Sequence, residues 1–585
     1  MSRASFAERA RLSWFAARCA LRGLVGRLSA HPLLRWRFSP ATTDRLLMAP
    51  KDLRTADPTR ASEIYSGRFA FAGKVVICDG RSPFEMEPPS EEWAESLFGF
   101  GWLRHLRAAE SGITRANARA LVDEWITLQT MGDAVAWRTD VLARRIISWL
   151  SQAPLVLHEV DTKFYRRFLR NLTRQVRFLR GTLAGARDGL PRLQGIIALT
   201  YASLCMKGQM RNAKRATRRL VHELERQILP DGGHISRNPG VLIELLLDLL
   251  PLRQAYASNN IPPPPAVLNA IDRMMPMLRF FRHGDGNFAL FNGMGPTSAD
   301  LLAAVLYYDD ARGTPVANAP HSGYQRLQAE TTVMLADTGV PPPIGVSQEA
   351  HAGCLSFELS SKQHRIVVNC GMPATNRASW RHVSRGTAAH STVTVNEAGS
   401  CRFLAARWLR RLLGTPIVAG PSEVPVAREE RTDGVVLRAS HDGYADMFGI
   451  LHQRTWRLSP DGRSLDGEDV FAPASGEKLP GGGRDEFAVR FHLHPTVKAS
   501  RLTDGHGAML MLPNREVWTL EAYEDPVTLE ESVYLAGSEG PRRTVQLVIH
   551  GRARKVPRVR WTFTQVDPAA PAARRDAARE PELPL

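Results

Sequence analysis

The sequence predicts a multidomain α + β protein, a helical domain followed by an antiparallel β-sandwich, and three observations predict it. A chain of 585 residues exceeds what one hydrophobic core organises, so two large domains are expected. Apolar residues recur at three- and four-residue spacing from about Glu91 to Asp310. Past about Thr331 they alternate in short runs separated by turn residues.

The helices follow from their stripes. Phe164, Phe168, Leu172, Val176 and Leu179 share one face of a helix, with arginines on the other. Leu142, Ile146 and Leu150 repeat the pattern, and Trp149 widens the stripe. The run from Val241 to Leu250 is apolar nearly all round, which predicts a helix buried on most sides. Pro230-Asp-Gly-Gly, Pro262 to Pro265 and His283-Gly-Asp-Gly break the pattern into helices of ordinary length. Successive antiparallel helices of this kind fit a bundle, a solenoid or an (α/α) toroid, and periodicity alone does not choose among them. Trp102, Trp125, Trp137 and Trp149 sit at helical spacing, as core residues or as platforms for sugar rings.

The strands are read from Thr332–Ala336, Arg365–Asn369, Ser391–Val395 and Gly434–Arg438, then Phe487–His494, Thr544–Ile549 and Val559–Thr564. Strands at this density, with no long helix between them, predict a sandwich. His492 and His494 fall on one strand face, expected to point to solvent. The boundaries that follow are a basic arm over 1–50, a helical domain over 51–330, a β-sandwich over 331–565 and a disordered tail over 566–585, rich in Pro, Ala, Arg and Glu.

Composition narrows the function classes. The hydrophobic fraction of 44% and charged fraction of 23% are those of a globular protein. A net charge of +17 points to a polyanionic partner, with a solvated basic face as the plain alternative. Nucleic acid is disfavoured, because the basic residues are dispersed among helices without a recognition motif. His283-Gly-Asp-Gly-Asn is no phosphate cradle, since it lacks a preceding strand and a Lys-Ser/Thr. The six cysteines show no CxxC spacing and are expected as buried free thiols.

The first forty residues alternate arginine with Leu, Trp and Phe. Arg18, Arg22 and Arg27 interrupt any secretory apolar core. This arm reads as a basic amphipathic helix that packs on the protein or lies on an anionic membrane surface.

Several segments carry a family resemblance. His351-Ala-Gly-Cys-Leu-Ser-Phe-Glu-Leu leads to Val367-Val-Asn-Cys-Gly and then to Ser384-Arg-Gly-Thr-Ala-Ala-His-Ser-Thr-Val. With Leu229-Pro-Asp-Gly-Gly-His-Ile-Ser-Arg-Asn-Pro, His441-Asp-Gly-Tyr and Gly449-Ile-Leu-His-Gln-Arg, they resemble the heparinase II/III-like family over roughly residues 100 to 560. The resemblance implies an (α/α) toroid with an acidic polysaccharide in the cleft against the sandwich. It also implies β-elimination at a uronate, in which a base takes the proton α to the carboxylate and an acid protonates the leaving oxygen. A cell-envelope or periplasmic location is implied too. Without a clear signal segment, the cytoplasm or the inner membrane surface is the other expectation.

On this resemblance His234 and His390 are the catalytic candidates. Arg237, Asn238, His452 and Arg454 are candidate substrate contacts, Arg237 because its fork matches a carboxylate. His351, Asn369 and His390 match the positions of a structural zinc site, with neutral Asn369 in place of the family's acid. Other positions also depart from the family. Gln194-Gly-Ile-Ile stands where many members carry an Asn-His pair, and Ser236 stands for an acid. Val241 and Val383 stand where tyrosines are usual, and valine cannot transfer a proton. A lyase acting on an acidic glycan is therefore one expectation. A non-catalytic member that binds anionic glycan or associates with the envelope is the other.

Overall fold

The computed structural model describes residues 6–30, 43–128, 134–308, 313–374, 378–476, 478–479, 483–523 and 525–566. The tail from Asp567, expected to be disordered, lies outside the described residues, as do residues 31–42 of the basic arm.

The helical domain is organised around the Leu190–Cys205 helix, whose residues from Gly195 to Cys205 are all buried. Pro191 suits its first turn, where a missing N–H costs no hydrogen bond. The helix packs against Thr139–Ser151, Met210–Gln227 and Gly240–Ser258. Gly195 permits the close approach, since a Cβ there would lie 2.8 Å from Leu183 Cδ1. In the Thr162–Thr182 helix the striped face is buried, and the Asp161 carboxylate caps the start by accepting from Phe164 N at 2.7 Å.

The leucine-rich Gly240–Ser258 helix is buried on most sides, including Asp248. That carboxylate has partners. Arg54 donates to Asp248 Oδ1 at 2.9 Å and to Glu244 Oε2 at 2.8 Å. Arg144 reaches both Asp248 oxygens, at 2.9 and 3.0 Å. Two acids one turn apart in an apolar run thus anchor the extended segment around Arg54 onto the helices.

The helical expectation for 51–330 misses a short antiparallel hairpin, Arg68–Phe71 with Lys74–Ile77. Its two-residue turn, Ala72-Gly73, has both φ angles positive (48° and 73°), the geometry that matches strand twist. At four residues per strand, alternation is too short to register as a period.

Among the described residues, the remaining strands form two antiparallel sheets of nine and eight strands, and Arg402–Phe403 pairs separately with Ile417–Ala419. The nine-stranded sheet includes Phe357–Ser361, His364–Val368, Glu486–Leu493 and Arg542–Arg552. The eight-stranded sheet includes Gly434–Tyr444, Ile450–Leu458, Ser464–Pro473 and Arg558–Gln565. Strands Asn318–Ala319 and Tyr324–Ala329 already belong to the first sheet, ahead of the change of period near Thr331. Aromatic rings fill the space between the sheets. Phe357 stacks on Trp561 with centroids 5.5 Å apart, and Gly467 makes room, since a Cβ there would lie 2.1 Å from the Trp561 ring.

The N-terminal helix Phe6–Ala30 bridges the two domains. Leu12, Phe15, Ala16 and Cys19 pack against Leu404, Leu409 and Leu413 of the sandwich. Trp14, Leu21 and Leu24 stay outside, 62%, 62% and 54% exposed. No described helix is long and apolar enough to cross a membrane.

Candidate functional site

The turn after the Met210–Gln227 helix places His234 at the interface of the domains. Gln227 Nε2 donates to Glu223 at 3.0 Å, which turns its Oε1 toward His234 Nε2, also at 3.0 Å. His234 Nδ1 therefore accepts, from the Ser236 hydroxyl at 2.7 Å and from Ser236 N–H at 3.1 Å. Both ring nitrogens are engaged within the turn. Burial holds this imidazole neutral and lowers its pKa to about 3.

Arg237, expected to meet a substrate carboxylate, is instead the pin between the domains. It is buried in a left-handed conformation (φ 63°). Its Nη2 donates to Asp337 Oδ1 at 2.5 Å and Gly323 O at 3.0 Å, and its Nε to Ser322 O at 2.7 Å. Nη1 reaches the Gly339 and Val340 carbonyls, and the guanidinium lies over the Tyr324 ring. Every nitrogen thus has a protein acceptor, which leaves no fork for a uronate. Asn238 Oδ1 accepts Gly240 N–H at 2.9 Å and caps the leucine-rich helix.

His351 and His390 converge. His390 Nδ1 faces Gly386 O at 2.8 Å, and a carbonyl only accepts, so Nδ1 carries the proton. His390 Nε2 is then the acceptor for His351 Nδ1–H at 2.9 Å. The second nitrogen of His351, Nε2, is buried without a hydrogen-bond partner. Burial lowers the pKa of His390 to about 4 and that of His351 further below the ordinary histidine value. The surrounding motif serves packing. Gly353 is required because a Cβ would lie 2.8 Å from His390 Cδ2. Arg385 binds the Ala350 and Ser347 carbonyls, and Thr387 Oγ1 donates to Ala352 O at 2.8 Å.

Asn369, the third position of the expected zinc site, is engaged at both ends. Its Oδ1 accepts Ser391 N–H at 2.9 Å, and its Nδ2 faces Glu358 Oε1 at 3.3 Å. An aspartate here would oppose the Glu358 carboxylate, which explains the amide. Among the described residues no three His, Cys, Asp or Glu side chains are arranged to hold a metal ion. Two imidazoles bonded to each other and a neutral amide in place of an acid do not make the donor set of a zinc site.

His452 and Arg454, expected at a sugar, lie inside the sandwich with fully buried side chains. Arg454 clasps Asp469 with Nε at 2.6 Å and Nη2 at 3.0 Å. His452 Nε2 adds a third contact at 2.7 Å, and Trp561 Nε1 a fourth at 2.9 Å. They build the core and cannot reach a glycan. His492, expected on a solvent face, is also buried, against Ser532 Oγ and Ala388 O. Its strand face is covered by the Thr387–Ala389 segment rather than by water. Trp102, Trp125 and Trp149 are core residues, and Trp137 packs beside them. All six cysteines are free, five of them buried.

Sequence reasoning did not single out Glu358. Its Oε2 pairs with His283 Nε2 at 3.0 Å, and its Oε1 accepts from Leu290 N and Asn369 N at 3.1 and 2.9 Å. A carboxylate between Phe357 and Leu359 in a fully buried strand was the available signal, because such a group must find partners.

A helical toroid closed by an antiparallel sandwich, with histidines at the junction, defines the polysaccharide-lyase class of folds. The crystal structure of heparinase III superposes with a TM-score of 0.68 at 14% identity, over 91% of this chain and 88% of that one. A mutant of the heparan sulfate lyase HepC from Pedobacter heparinus gives 0.62 at 15% identity, over 96% and 88%. At these identities the likeness is one of fold. The heparinase II/III-like C-terminal family matches residues 311–562. Over 544 residues the chain is 32% identical to FtsZ-localized protein C of Caulobacter vibrioides (strain NA1000 / CB15N), covering 91% of this chain and 92% of that protein. This chain belongs to the heparinase II/III-like family.

Proposed function

We propose that this chain is a non-cleaving member of the family, a lyase-fold protein that recognises anionic glycan and localises with FtsZ. One observation carries the first half. The junction keeps His234 and His390, but each ring is buried and hydrogen-bonded through both nitrogens to the protein. A general base needs a free lone pair and a pKa near the working pH, and both are missing. Val241 and Val383 supply no phenol in their place.

The second half rests on likeness along nearly the whole chain to a protein whose name states its localisation with FtsZ. Purified protein should co-sediment with FtsZ polymers, and a fluorescent fusion should overlap FtsZ in cells. Incubation with a panel of uronate-containing glycans should yield no unsaturated-uronate absorbance. Turnover that disappears in His390→Ala would overturn the non-cleaving reading and restore β-elimination.

A second reading, contact with the inner membrane surface through the N-terminal helix, is favoured by the outward Trp14, Leu21 and Leu24. Arg18 lies beside them, over the Trp14 ring at 5.2 Å. Apolar side chains flanked by arginine are suited to an anionic headgroup layer.

A further inference from the structure

The sandwich domain carries a short helix, Arg407–Leu413, that is apolar on two sides. Leu409 and Leu413 turn inward and pack, with Leu404, on Leu12, Phe15, Ala16 and Cys19 of the N-terminal helix. Trp408 and Leu412, one turn apart, turn outward and are 71% and 50% exposed. This exposure is not that of a loose end. Gly414 closes the helix at a positive φ of 71°, its N–H donating to Arg410 O at 2.9 Å. Arg410 Nε donates to Leu404 O at 2.6 Å, and Gln348 Oε1 accepts Thr415 N–H at 3.0 Å just beyond.

On the N-terminal helix, Trp14, Leu21 and Leu24 recur at spacings of seven and three residues, which puts them on one outward stripe. Because the two helices pack on each other, five large apolar side chains stand out from one joined pair. The charge around them has one sign. Residues 10–30 contain four arginines and no acid, and residues 398–422 likewise contain four arginines and no acid.

We propose that the Arg407–Leu413 helix is a second lipid-docking element, which inserts Trp408 and Leu412 into an anionic bilayer surface beside the N-terminal helix. The proposal rests on the membrane contact read above for that helix, and extends it to the sandwich domain. An indole and a leucine flanked by arginines match the boundary between headgroups and acyl chains. There the apolar atoms leave water while the guanidinium groups meet phosphates. A second copy of this chain is a poorer occupant, because it would set arginines against arginines. One docked helix leaves the body free to roll about its axis. A second contact from the sandwich sets which side of the protein faces the bilayer.

Flotation of the full chain with phosphatidylcholine vesicles containing phosphatidylglycerol tests it. Trp408→Ser together with Leu412→Ser should weaken binding by about tenfold or more, the loss expected when two apolar side chains no longer leave water. The melting temperature should not change, because neither side chain belongs to the buried cluster between the helices. Retained binding in this variant, with binding lost in Trp14→Ser together with Leu21→Ser, would overturn the proposal and leave the N-terminal contact standing. Retained binding in both variants would sink the membrane reading with it. A wild-type dimer that becomes a monomer in the Trp408 and Leu412 variant, by light scattering without vesicles, would assign this face to a second copy instead and overturn the proposal.

Discussion

His351 and His390 meet ring to ring, with His351 Nδ1 2.9 Å from His390 Nε2. The Gly386 carbonyl fixes the tautomer of His390, and through it that of His351. The pair forms a neutral bridge between two motif segments, with the Asn369 amide hydrogen-bonded to Ser391 and Glu358 beside it.

Metal analysis of the purified protein should therefore find substoichiometric zinc, and a chelator should leave the melting temperature unchanged. One tightly held zinc per chain would contradict the hydrogen-bonded description of this pair.

Replacing Arg237 by alanine should strip Asp337 of its buried partner and leave several sandwich carbonyls without a donor. Removing one half of a buried ion pair costs about 3–5 kcal/mol. Arg237→Lys should recover only part of the loss, because one ammonium cannot reach five acceptors. Denaturant unfolding measures both, and a loss under 1 kcal/mol in Arg237→Ala would show that the pin is dispensable.

Acid should destabilise the fold through its buried histidines. His234 and His492 have pKa values lowered by burial to about 3, and His390 to about 4, against an ordinary value near 6.5. The unfolded chain then binds more protons than the folded one, so stability rises with pH. It is complete above about pH 6.5 and falls as pH drops toward the folded values. At pH 5 each histidine should remove on the order of 2 kcal/mol. Melting temperatures across pH 4.5–8 test this, and a flat profile would sink it.

Vesicle flotation checks the membrane contact. Trp14→Ser together with Leu21→Ser should reduce binding to anionic vesicles without lowering stability, since both side chains face outward. Raised salt should weaken wild-type binding as well, by screening Arg18 and its neighbours. Equal binding of variant and wild type would remove the helix from consideration.

The architecture was legible in the sequence because period is a local property. The stripe from Phe164 to Leu179 and the alternation in Val559–Thr564 both survive into the fold. The site was less legible, because the same histidine spelling serves an exposed or a buried ring. His452 read as a substrate contact and His492 as a strand-face residue, yet the fold buries them against Asp469 and the Thr387–Ala389 segment. Arg237 beside a glycine turn read as a carboxylate fork, and only the folded sandwich supplies the carbonyls that occupy it.

The pin formed by Arg237 also constrains motion. The guanidinium holds carbonyls and a carboxylate of the sandwich while its own carbonyl accepts the Tyr324 hydroxyl at 2.6 Å. Opening the toroid away from the sandwich would have to break these bonds together. The seam at Arg237 is therefore a fixed joint rather than a hinge.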